Sequence, residues 1–152
     1  MSWTKNITGR EEGIFRTENG NADEMIAIGR ITKAGFPCSR VDVTNAKYDA
    51  IVDLGPAKLL RIQIKGFSGR SVDFSGGTRS GQQINRSVAS RRYKYTKTDC
   101  DVFVAINGNN GDCYIIPIED TLGWGFSKAI SKLEKYRENW NILKKFQNTS
   151  GQ

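Results

Sequence analysis

The sequence predicts a mixed α+β fold of the α/β type, with a mixed central sheet flanked by helices. Three observations carry this. Ala27, Ile28, Ile31 and Ala34 recur at helical spacing along one face. Two runs, Lys47–Leu54 and Lys58–Lys65, flank Gly55-Pro56-Ala57 and read as a hairpin. Two further apolar runs, 101–106 and 112–118, are joined by Gly108-Asn109-Asn110-Gly111, a strong turn signal. The order helix, strands, loop, strands, helix fits helices packed on a mixed sheet.

The elements follow in order. Residues 1–20 are mixed in charge and hold Gly9, Gly13 and Gly20, so they read as an irregular arm with a short strand near Gly13-Ile14-Phe15. The first helix starts at Asn21 and stops at Gly35, a residue suited to a helix end. A loop with Pro37 precedes Val41–Val43 and the hairpin. Residues 66–98 have few aliphatic side chains and several glycines, and read as short ribbons and loops. A long helix is expected over Ser127–Phe146, with Phe126, Ile130, Leu133, Trp140 and Leu143 on one face.

Composition narrows the chemistry. A chain of 152 residues is expected to form one domain, 1–152, with a core of its own. A net charge of +7 and a pI near 9.5 point to a polyanionic partner, nucleic acid first, with a merely soluble basic surface as the alternative. Cys38, Cys100 and Cys113 are odd in number and form no CxxC pair, which fits a reducing, cytoplasmic setting. No apolar run is long enough to span a membrane. There is no histidine. His-based triads, HNH-type nuclease sites and His-ligated zinc are therefore excluded, and any hydrolysis must use carboxylates, Lys, amides and a hard cation such as Mg²⁺.

The hairpin holds the chemistry-bearing residues. In a strand, side chains two apart share a face, so Gln63 and Lys65 project together while Ile62 and Ile64 point to the core. Asp49 stands on the preceding strand, where an acid is disfavoured without a task. Asp53 competes from nearer the turn. Asp49, the Gln63 side-chain oxygen and the Ile64 backbone carbonyl make a hard donor set for Mg²⁺. Lys65 would orient or deprotonate the attacking water and offset charge on the phosphoryl group. Glu24 has two readings. It assists this site, or it closes a capping box with Asn21 as the helix N-cap.

Residues 66–98 carry Arg70, Arg79, Arg86, Arg91, Arg92, Lys94 and Lys97 against the single acid Asp73. Interspersed are Gln82, Gln83 and Asn85. Arg matches guanine edges, and Gln or Asn adenine edges, while Lys more often grips phosphate. The segment is expected to bind DNA; a solvated loop is the alternative.

Asp49 with Gln63-Ile64-Lys65 resembles the PD-(D/E)XK nuclease core. The longer pattern adds Tyr48, Arg61-Ile62, Asp101-Val102-Phe103-Val104-Ala105 and Tyr114-Ile115-Ile116-Pro117, over roughly residues 22–120. It is similar to the PD-(D/E)XK homing endonucleases encoded in group I introns. Gln63 stands where the superfamily usually has an acid, and Tyr48 where it has Pro. The resemblance implies a restriction-endonuclease-like core, Mg²⁺-dependent cleavage of double-stranded DNA at a long target, and a homo-tetramer. Cutting both strands by itself asks for at least a dimer. A Holliday-junction resolvase shares the core, and a non-cleaving nucleic-acid-binding module is the reading from another class. The long Arg/Gln/Asn-rich segment argues against the first, and the retained site residues against the second.

Overall fold

The structure is a computed structural model that describes residues 1–43, 45–77 and 92–148. Its centre is a five-stranded sheet in the order β1-β2-β3-β7-β8, built from β1 (Cys38–Arg40), β2 (Ala50–Gly55), β3 (Lys58–Phe67), β7 (Val102–Asn107) and β8 (Cys113–Pro117). β3 and β7 run parallel and the other neighbours antiparallel, so the sheet is mixed, as expected. Positive φ at Gly55 (121°) and Ala57 (59°) closes the β2–β3 turn, and only the first suits its residue well. Helix α1 (Glu12–Lys33) packs on β1, β3 and β7 through Ala27 and Ile31. It ends at Ala34 and Gly35, whose φ is +104°.

Two small ribbons sit beside this sheet. β4 (Ser71–Asp73) pairs with β9 (Ser127–Ala129), and β5 (Ser75–Gly76) with β6 (Tyr93–Lys94). A short helix α2 (Ile118–Thr121) follows β8. Single 3-10 turns at Ile130–Lys132 and Glu134–Tyr136 lead to α3 (Asn141–Asn148), which packs on β2 and β8. Phe103 at the sheet centre meets Phe74 and Tyr95 edge-on at 5.1 and 5.4 Å, which anchors both ribbons to the core.

Two expectations are corrected. α1 begins at Glu12, not Asn21, and Ile14 and Phe15 are helical. The Glu11 carboxylate caps it, accepting from the N–H groups of Gly13 and Ile14. The first turns are solvated and so show no apolar stripe. Asn21 and Glu24 are therefore mid-helix, and no capping box exists between them. The long C-terminal helix is also absent. Pairing with β4 draws Ser127–Ala129 into a strand, and Leu133 and Tyr136 are buried from 3-10 turns rather than from a helix face. Glu138, at φ +49°, then breaks the chain direction before α3.

Candidate active site

The β2–β3 register places the site. Ala50 pairs with Ile62, so Asp49, one residue before the strand, falls opposite Gln63. Backbone bonds hold it there. Asp49 N–H donates to the Ile62 carbonyl at 2.7 Å, and the Asp49 carbonyl accepts from Val41 N–H at 2.9 Å. Its Oδ2 accepts from Ile64 N–H at 2.9 Å, and among the described residues Oδ1 accepts no hydrogen bond. Gln63 is buried, and its amide donates weakly to the Ile64 carbonyl at 3.4 Å. Ile62 and Ile64 are buried on the α1 side, because β-strand parity separates them from Gln63 and Lys65. Asp53 is exposed and caps the turn by accepting from Gly55 N–H at 2.9 Å.

Lys65 is half-buried. Its Nζ donates to the Ser75 carbonyl at 2.8 Å and lies 5.1 Å from the Tyr95 ring centre. Burial pulls the Lys65 ammonium below its ordinary value, opposed by the charges of Asp73 and Asp49. Burial pushes the Asp49 carboxyl up, against the Ile64 N–H and the cations Lys65 and Arg40. Burial also raises Glu24, and the charge of Asp49 raises it further, while Arg40 at 3.1 Å opposes both. Glu24 thus reaches the same space as Asp49 from α1.

These four side chains therefore converge. Two carboxylates, each raised by burial and Glu24 raised further by the charge of Asp49, beside a buried amide and a backbone carbonyl, form a hard-oxygen set that a divalent cation would stabilise. The donors fit such an ion. Among the described residues no group of three or more acidic or thiol side chains gathers that could hold a metal ion, here or elsewhere, so the amide and carbonyl oxygens would have to complete the set. The three thiols are free and raised by burial, Cys38 to about 11 and Cys100 and Cys113 to about 12, which leaves them inert.

Of the expected DNA contacts, Arg79, Gln82, Gln83, Asn85, Arg86 and Arg91 lie outside the described residues. Arg70 is exposed. Arg92 is exposed and engaged within the chain, with its Nη2 3.2 Å from Asp73 Oδ2 and its guanidinium 4.4 Å from the Phe126 ring centre. Lys94 donates to the Leu122 and Trp124 carbonyls, and Lys97 pairs with Glu119 at 2.9 Å. Sequence reasoning missed Arg40, Ser75 and Tyr95. Of these three, Tyr95 alone had a local signal, as part of an alternating Arg-Tyr-Lys-Tyr run.

A mixed sheet with an acid, an amide and a lysine brought together on one hairpin is the arrangement of a nuclease core. A family model described as PD-(D/E)XK endonuclease matches residues 16–147. The chain belongs to the PD-(D/E)XK endonuclease family and is a nuclease. Its fold is similar to that of a solved structure, the bacterial homing endonuclease I-Ssp6803I, at 22% identity and a TM-score of 0.68, over 84% of this chain and 91% of that one. A search of the curated proteins found no match. Among the described residues no helix is long and apolar enough to cross a membrane.

Proposed function

We propose that this protein is a sequence-specific, Mg²⁺-dependent endonuclease that cuts double-stranded DNA at a long target, as a homing enzyme encoded in a group I intron. The observation that carries the reading is the placement of Asp49 opposite Gln63, with Lys65 on the same strand face and Glu24 arriving from α1. Asp49, the Gln63 side-chain oxygen and the Ile64 carbonyl would hold the ion. A divalent cation there supplies Lewis-acid stabilisation of negative charge on the phosphoryl group. Lys65 orients the attacking water and meets charge that develops on the phosphoryl oxygens. Its lowered proton affinity also suits it to take the water's proton. Glu24 fixes Arg40 and adds a second carboxylate at the mouth of the site. The 66–98 segment supplies the recognition surface.

One site hydrolyses one strand, so a double-strand cut needs two copies related by a two-fold axis. A long target asks for more surface than two small subunits offer, which favours a tetramer. The test is cleavage of a randomised duplex pool with Mg²⁺ or with EDTA, followed by sequencing of the product ends. Double-strand ends at one recurrent sequence, only with Mg²⁺, are expected. Ends without sequence preference, or cutting that persists in EDTA, would refute the reading.

A further inference from the structure

A second charged feature lies apart from the hairpin, on the segment that follows β8. A cavity of about 390 Å³ opens between Trp124 and Tyr136 and is lined by Lys128, Lys132 and Lys135. An adjoining cavity of about 300 Å³ shares Asp120, Lys135 and Tyr136 with it and continues to Lys145. Together they form one furrow edged by four lysines. Two of the ammoniums are seated on rings. Lys128 Nζ lies 4.7 Å from the Trp124 ring centre and Lys135 Nζ 5.1 Å from that of Tyr136. The two rings themselves meet edge-on at 6.3 Å.

The acids that would neutralise such a cluster are spent elsewhere. Asp120, the one acid among the described residues that line the furrow, accepts from the Tyr136 hydroxyl at 2.8 Å. Glu119 pairs with Lys97 at 2.9 Å and Glu134 with Arg137 at 3.5 Å. Among the described residues none of the four lysines has a carboxylate partner. A surface that concentrates cations around aromatic walls, and leaves them unpaired, attracts a polyanion.

We propose that this furrow binds the phosphodiester backbone of the DNA substrate. The proposal rests on the nuclease reading above. Its elongated, open form suits a run of phosphates better than a single small anion. Lysine ammoniums act as point charges on phosphate and carry no base code, so the furrow adds affinity and register rather than sequence choice. It also joins the site's surroundings. Trp124 packs on Phe74 at 5.7 Å, between Asp73 and the Ser75 that accepts from Lys65.

The test is the salt dependence of duplex binding in EDTA, for the parent and for a variant carrying K128Q, K132Q, K135Q and K145Q. Glutamine keeps the stems on the rings while removing charge. Each lost phosphate contact flattens the slope of log K against log[salt] by ~0.9, so a fall of about 3 to 4 is expected, on target and unrelated duplexes alike. Arg at the same four positions should restore the slope. An unchanged slope in a variant that melts like the parent overturns the proposal, as does a loss on the target duplex alone. If the variant melts early, each single Gln substitution must flatten the slope by ~0.9 for the proposal to stand. A parent that neither binds nor cuts duplex DNA would instead sink the nuclease reading.

Discussion

Asp49→Asn should abolish cleavage and yet make the metal-free protein more stable at neutral pH. The carboxylate is buried enough that desolvation raises its proton affinity, and Glu24 nearby carries the same charge. Its hydrogen bond from Ile64 N–H at 2.9 Å can be kept by the oxygen of an Asn amide. The exchange replaces a bond to a charged acceptor, worth about 1.5–3 kcal/mol, by a neutral one of about 0.5–1.5 kcal/mol. Against that loss stands the relief of a desolvated charge, several kcal/mol in real proteins by rough count. A net gain of about 1 kcal/mol is expected, or about 2–4 °C in Tm for a chain of this size.

The pH dependence has a definite sign. The folded state binds the Asp49 proton more tightly than the unfolded chain, whose Asp titrates near ~3.9. The destabilising cost of the carboxylate is therefore full above the raised folded value. It fades as pH falls through that value and is gone below the unfolded one. The advantage of Asn should follow the same course. Added Mg²⁺ should reverse the ranking, because only the parent gains stability by binding it. Melting curves across pH, with EDTA or Mg²⁺, read all of this. A variant less stable than the parent at pH 7 in EDTA, or one that gains as much from Mg²⁺, would refute the reasoning.

Lys65→Met, which keeps much of the stem, should lower turnover by about 10²–10³-fold with little change in DNA affinity, as for loss of one transition-state donor. Filter binding beside single-turnover cleavage would check this, and a parallel loss of both would remove the assigned role. Glu24→Gln should slow cleavage while Tm moves by no more than about 2–4 °C, the equivalent of ~1 kcal/mol. Rates equal to the parent would leave Glu24 as a partner of Arg40 and nothing more. Gly66→Ala would put a Cβ 2.6 Å from Asp23 Oδ2, the free end of a side chain that can turn aside, so stability should move by no more than about 0.5–1 kcal/mol in urea melts.

The hairpin was legible in the sequence because its turn and its alternation agree, and the two-residue parity of Gln63 and Lys65 follows from strand geometry alone. Asp49 was placed for the same reason, since a register is fixed once the turn is fixed. The helix start was not legible. Residues 12–22 present mostly polar and small side chains to solvent, with Ile14 exposed among them, and an apolar stripe begins only where α1 meets the sheet. The C-terminal segment misled for the opposite reason. Its apolar spacing is real, since Leu133, Tyr136 and Leu143 are all buried, but strand pairing with β4 and tight 3-10 turns deliver them to the core. Arg40 and Ser75 escaped notice because neither their residue types nor their spacing carry a signal. Tertiary contact alone brings them to Glu24 and Lys65.

Those contacts make a further prediction about how the lysine is aimed. The Ser75 carbonyl that receives Lys65 is itself fixed. Ser75 N–H and Oγ–H both donate to Asp73 Oδ1, at 2.8 and 2.6 Å, and Ser75 is almost fully buried. Arg92 closes the unit from the paired strand's end, through Asp73 Oδ2 at 3.2 Å and Ser75 Oγ at 3.2 Å. Burial raises the Asp73 carboxyl, but the Ser75 hydrogen bonds with the Arg92 and Lys65 charges outweigh it and hold it below the usual carboxylate range. Asp73→Asn keeps an oxygen for Ser75 and loses the charge that grips Arg92. A misplacement of 1 Å at a reacting group can cost about 10²-fold, so turnover should fall by about 10- to 100-fold while DNA affinity and Tm stay near the parent's. In a Lys65→Met background the same substitution should change nothing, because Asp73 acts on the reaction only through Lys65. Single-turnover rates of the parent, both single variants and the double variant complete the cycle. Additive losses would mean that Asp73 reaches the DNA or the fold by another route, and the aiming role would then be lost.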